Sequence, residues 1–499
     1  MQLRKQGHII TPQSQHTQGK RPMKDAARTP RRLLLAAGLF ACLAPTAVGT
    51  ATQSGLQAQA AAEAGTPTPR VESAPVSASP MLPPGTTPMP LASDFDVARF
   101  EAMAQMVVAN QRVPGMAMAI VHKGEVLSAR GYGITDVSAA EPVDAHTVFR
   151  LASLSKPFAA TVTGLLVAEG SLRWDSNVAD FMPALRFSDP DAAGKLTVAD
   201  VLSHRVGLGR NTYDRDIERN ADYRSLVQRF AQAPMTCDVG DCYGYQNVAF
   251  SLVGDVVAAA SGQFFSEAVA WRIFKPLGMN DASYGLEGIQ ASPRWAKPHV
   301  RAGGGWRSLT PKPTYYRVAP AAGVNASITD MAQWLIAQSG RRPDVLPTPL
   351  LATLQQPLVS TPREMRTSSW RRERLNDAGY ALGWRVYEYS GHRVVFHAGA
   401  VQGYRGLMAL MPERDLGIVV LWNGESSLPT GLLPTILDSA IGLGQRQWLD
   451  VDLEEVDELL LANAAAEAEA HTGPAFAPGP QGTTGSGGTA SGASTAKPQ

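Results

Sequence analysis

Strand-like alternation stands at the two ends of the foldable part of this 499-residue chain, and helix-like patterning fills the span between them. At the front, residues 116–122 and 126–132 are strand-like and flank Lys123-Gly124, a hairpin signal. At the back, Leu382, Trp384 and Val386 alternate with Arg385, Tyr387 and Tyr389 up to a turn at Ser390-Gly391. Residues 393–397, 404–411 and 416–422 follow as three more strands, the last two joined by residues 412–415. Connections neither thread nor cross, so the front hairpin is expected to pair with the late meander. The expected fold class is α/β of the α+β type: one antiparallel sheet flanked by helices, with a helical subdomain inserted in the middle. The strand bearing His397 is expected at the sheet edge.

The helices are marked by caps and apolar spacing. Ser93 is the expected cap of a helix carrying Phe95, Phe100, Met103, Met106 and Val107, which Val113-Pro-Gly115 stops. A helix over residues 153–169 ends at Gly170 and tolerates Pro157 in its first turn. Thr197 caps residues 198–202, Asn247 leads into 248–260, Ser266 caps a segment to Phe274, and Ser327 or Thr329 opens 331–338.

The ends read differently. Arg31-Arg32 runs into the apolar stretch 33–44, which is too short to span a bilayer comfortably and reads as an export signal over residues 1–49, with Met23 an alternative start. Residues 50–92 are a Pro/Ala/Ser/Thr linker, 93–445 the foldable domain, and 446–499 an acidic helix with Leu453, Val456, Leu459 and Leu460 followed by a low-complexity tail from Ala464. The expected location is periplasmic or secreted, or lipid-anchored if Cys42 is lipidated. Residues 1–35 hold eight basic side chains and one acid; without them 37 basic and 43 acidic side chains remain. That balance gives no reason to expect nucleic-acid binding. Cys237 and Cys242 are the even pair left after the signal, and a disulfide is expected to stiffen the approach to Tyr245.

Three short motifs carry chemistry: Ser153-Leu-Ser-Lys156, Tyr245-Gln-Asn247 and His397-Ala-Gly399. A serine three residues before a lysine at a helix start puts hydroxyl and amine on one face, and a neutral amine there can take the serine's proton. Ser494 to Lys497 and His471 to Gly473 repeat the first and last patterns in the tail, and His122 to Gly124 sits in a hairpin turn, so one consistent triple remains. The histidines and cysteines show no metal-ligand spacing, and neither metal nor cofactor is expected.

With these motifs the chain resembles the class C beta-lactamase and low-molecular-mass penicillin-binding protein family of serine hydrolases over roughly residues 95–445. The segments Val201-Leu-Ser-His-Arg-Val-Gly-Leu208, Phe274-Lys-Pro-Leu-Gly-Met279 and Ala322-Gly-Val-Asn-Ala-Ser-Ile-Thr-Asp330 extend the likeness. The resemblance implies that Ser153 is acylated, that Lys156 and Tyr245 share the proton transfers, and that Asn247 binds the substrate's amide side chain. Either Lys156 or Tyr245 can be the base. The backbone amides of Ser153 and Ala400 are the expected oxyanion hole, with Gly399 allowing substrate close to its strand.

His397 departs from the pattern, because the family's beta-lactamases usually carry lysine there, whereas histidine is familiar among its peptidases and esterases. A histidine titrates near neutrality, so binding of a substrate carboxylate is expected to weaken above neutral pH. Two classes of function follow. One is a hydrolase of a beta-lactam, first by resemblance, or of a D-alanyl peptide or ester; its substrates are small molecules or peptidoglycan-type chains. The other is a penicillin-binding sensor that acylates without turnover.

Overall fold

The computed structural model describes residues 87–444 and 446–471, so the export signal, nearly all of the linker and the end of the tail lie outside the described residues. The front hairpin joins β1 (Gly115–His122) to β2 (Glu125–Gly133), with Lys123 and Gly124 both at positive φ, 53° and 83°, as a two-residue turn requires. Later come β3 (Val359–Ser360), β4 (Leu375–Tyr380), β5 (Arg385–Tyr389), β6 (His392–Val401), β7 (Tyr404–Met411) and β8 (Leu416–Trp422). They form one antiparallel sheet in the order β2-β1-β8-β7-β6-β5-β4-β3. Met116 faces Trp422 and His122 faces Leu416, so the two ends of the pattern do meet.

Each strand sorts its side chains by alternation. Ala117, Ala119 and Val121 enter a core shared with α2 (Lys156–Ala168), α3 (Leu252–Ser261) and α4 (Ile328–Ile336), where Phe158 stacks on Trp334 at 3.8 Å. Met116, Met118 and Ile120 enter a second core with α1 (Val97–Ala109), α5 (Leu432–Ala440) and the first turns of α6 (Leu453–His471).

Several local expectations are corrected. Asp96, not Ser93, caps α1, accepting from the amides of Ala98 and Arg99. Ser266 lies inside its helix, which starts at Phe265. The final helix runs to His471, beyond the start of the expected tail, because alanine and glutamate sustain a helix well. Residues 446–460 also join the second core, with Leu449, Val451 and Val456 buried.

The most consequential correction concerns β6, which is interior to the sheet, since β5, β4 and β3 continue beyond it. Yet β5 begins at Arg385, opposite Phe396. Residues 397–401 therefore pair with β7 on one side and leave a local free edge on the other.

Candidate active site

Ser153 lies in a 3-10 turn, Ala152–Ser155, that leads directly into α2. Ala152 takes a left-handed φ of 51°, a conformation costing an alanine about 1–2 kcal/mol. Ser155 holds the turn from beneath, donating to the Ala152 carbonyl at 2.6 Å and accepting the Val324 amide at 3.0 Å. Gly399 presses on it from the free edge: a Cβ there would lie 2.3 Å from the Leu151 oxygen and 3.2 Å from the Ser153 nitrogen. The glycine is thus required by the nucleophile's own turn.

Lys156 is fully buried, and its amine meets Asn247 Oδ1 at 2.7 Å, the Ala321 carbonyl at 3.2 Å, Ser153 Oγ at 3.4 Å and the Tyr245 side chain. The first two are pure acceptors. They take both N–H bonds of a neutral amine, so its lone pair is left for the Ser153 and Tyr245 hydroxyls. Burial pushes the Lys156 pKa down, with Tyr245 and Asp214 pulling the other way. Asn247 is in turn held by donating to Asp214 Oδ2 at 2.8 Å. Burial raises the Asp214 pKa, while Asn247 and Lys156 lower it.

Tyr245 brings its ring centre within 4.7 Å of the Lys156 amine and 4.4 Å of the His204 ring. Its loop is stitched to the His204 segment by the Gly244 amide on the His204 carbonyl at 2.9 Å. The Cys237–Cys242 disulfide closes the preceding turn.

His397 does not face the cleft. It is 1% exposed and shares the strand face of Gly399, whereas Ala398 and Ala400 point the other way. A buried chain fixes its protons. The Gln246 amide donates to His204 Nδ1 at 3.2 Å, so His204 Nε2–H donates to the Tyr380 oxygen at 3.1 Å. The Tyr380 hydroxyl donates to His397 Nε2 at 3.2 Å, and His397 Nδ1–H to the Ala398 carbonyl at 2.9 Å. Both imidazoles are neutral, and burial, with Arg385 and Lys156 adding to it, holds the His397 pKa well below its ordinary value. This geometry does not carry the expected titrating cation at His397.

Arg385 takes the cleft-facing position instead. Burial opposes its charge, but Tyr243, Tyr387 and Glu364 hold it protonated. It lies 2.8 Å from Glu364, whose other oxygen is 2.8 Å from Arg371. Asp214, Tyr380 and Arg385 were not among the sequence candidates. Asp214 sits in a charged run that looks like any solvated face, and Tyr380 and Arg385 become meaningful only once β4 and β5 flank β6.

The free edge, Ser153, Tyr245 and Asn247 line a cleft of about 520 Å³. Among the described residues no group of three or more His, Cys, Asp or Glu could hold a metal ion. The fold as a whole is shared with solved structures. The penicillin-binding protein homologue from Pyrococcus abyssi superposes with a TM-score of 0.62 at 24% identity, over 71% of this chain and 79% of that one. The model of the Beta-lactamase family matches residues 100–440, and the chain belongs to that family. The unguisins hydrolase ungD' of Aspergillus campestris is 25% identical over 70% of this chain and 66% of its own length. Esterase EstB of Burkholderia gladioli is 32% identical over 40% of this chain and 54% of its own. The chain thus spans less than two thirds of the length of these curated relatives.

Proposed function

We propose that this chain is a serine hydrolase that passes through an acyl-enzyme on Ser153 and acts on open-chain esters or D-alanyl-type peptides in preference to beta-lactams. The observation that carries it is the desolvated Lys156 amine, both of whose neutral N–H bonds are occupied while Ser153 Oγ stands at 3.4 Å. Ser153 Oγ attacks the carbonyl and its proton passes to the Lys156 and Tyr245 pair. The developing oxyanion lies between the amides of Ser153 and Ala400. Collapse breaks the ester or amide bond, and the leaving oxygen or nitrogen takes that proton. Water then repeats the attack, freeing the acid and restoring the serine.

The beta-lactamase activity first implied by resemblance stands second, because the neutral, buried His397 supplies no cation at the strand position where the family's beta-lactamases carry lysine, and the charge of Arg385 in the cleft is already paired with Glu364. The disulfide supports work outside the reducing cytoplasm, periplasmic or secreted, or at a membrane through a lipidated Cys42. The test compares 4-nitrophenyl acetate, a D-alanyl-D-alanine peptide and nitrocefin, each with the chain and with Ser153→Ala. Ester or peptide turnover that exceeds nitrocefin turnover and vanishes in the variant is expected. Faster nitrocefin turnover would return the beta-lactamase to first place, and a stable adduct without product would make the chain a sensor.

A further inference from the structure

We propose that Arg405 reads an anionic group on the acyl portion of the substrate, so that the preferred acyl donors end in a carboxylate. This rests on the acyl-enzyme role given to Ser153. The direction of the substrate follows from where the proton goes. Arg385 stands opposite Phe396, and its guanidinium carbon lies 5.5 Å from the Tyr245 ring centre, so the proton-handling groups sit at the Phe396 end of the free edge. The leaving atom is protonated there. The acyl chain therefore runs the other way, past Ala400 towards Val401.

Arg405 waits at that end. It is directly opposite Ala400 on β7, with Trp422 next across the sheet, and opposed residues project from the same face. It lines the cleft and also an adjoining hollow of about 520 Å³ that Lys312 borders. The carboxylates lining these spaces already have partners. Asp214 accepts from Asn247, Glu218 from the Tyr315 hydroxyl at 3.3 Å, and Glu425 from the Gly403 amide at 3.2 Å. Among the described residues, by contrast, neither the Arg405 guanidinium nor the Lys312 ammonium has a hydrogen bond or ion pair. A half-buried, unpaired guanidinium beside a reaction cleft favours a ligand carboxylate, which it can meet with two parallel hydrogen bonds.

The experiment compares mono-4-nitrophenyl adipate with its methyl ester, which has the same reach and no charge. The acid is expected to be preferred about tenfold in kcat/KM, mainly through KM, with the preference shrinking as salt rises. Arg405→Gln should erase the acid-to-ester ratio and Arg405→Lys should keep part of it. Labelling of Ser153 by a fluorophosphonate in each protein reports a folded, competent nucleophile. A labelled wild type without the preference, or a preference unchanged in Arg405→Gln, overturns the subsite alone. Absence of both labelling and turnover in the wild type overturns the Ser153 mechanism, and the subsite with it.

Discussion

A histidine changes meaning with what holds its two nitrogens. At 397 and 204 both rings are tied into one chain whose ends are backbone groups, so neither can accept a proton without breaking a bond inside the core. Burial leads in lowering both pKa values well below 6.5. The unfolded chain then binds protons first as the solution is acidified. Stability is held above about pH 6.5 and falls below it, by up to about 1.4 kcal/mol per pH unit for each ring. Asp330, pushed up to about 6 by burial, works in the opposite sense, gaining protons in the folded state first and softening the loss below pH 6. Chemical denaturation between pH 7.5 and 5.5 should therefore show a shallower acid loss in His397→Gln than in the wild type, whatever the variant's stability at pH 7.5. Equal slopes would mean that His397 already carries a proton in the folded chain.

At the scale of elements, the site is a contact between a turn and a strand end. Gly399 has backbone on its far side, the Leu151 oxygen and the Ser153 nitrogen, which cannot move without moving the nucleophile. Gly406, its partner on β7, would meet mainly the side-chain ends of Leu421 and Leu154. Gly399→Ala should therefore cost about 1–3 kcal/mol of stability and slow fluorophosphonate labelling of Ser153 by about a hundredfold, with Gly406→Ala much milder. Equal labelling rates in the two variants would show that β6 and the turn are not mechanically coupled. Much of this was legible beforehand. The hairpin, residues 404–411 and 416–422, a helix cap at Ser327 or Thr329, of which Ser327 is the one the fold uses, and the Ser153/Lys156 spacing follow from local patterns, since each needs only neighbours a few residues away, whereas Tyr245 was joined to that pair by the family resemblance. The free edge was not, because it depends on where β5 begins relative to β6, a register that no local period specifies. Asp214 and Arg385 escaped for the same reason: their partners Asn247 and Glu364 are distant in sequence.

For the molecule as a whole, the question is whether the segment after residue 445 is an appendage or part of the domain. It lies against the face of the sheet opposite α2, and Gly431 is packed so closely under it that a Cβ would fall 2.4 Å from the Trp448 oxygen. Leu449, Val451 and Val456 are 3%, 4% and 0% exposed. Each buried side chain is worth about 1.5–3 kcal/mol, an upper estimate because unfolded chains already hide some apolar surface. The surface ion pairs Arg99 with Asp457 and Arg112 with Asp450 add little. None of these residues lines the cleft. Ending the chain after Gly444 should thus cost several kcal/mol of stability, while the truncated protein, kept cold, labels at Ser153 at nearly the full-length rate. Thermal unfolding and labelling measured on the same samples separate the two effects. An unchanged melting temperature would make the segment an appendage after all, and lost labelling in a folded truncation would mean that the second core positions the cleft as well as supporting it.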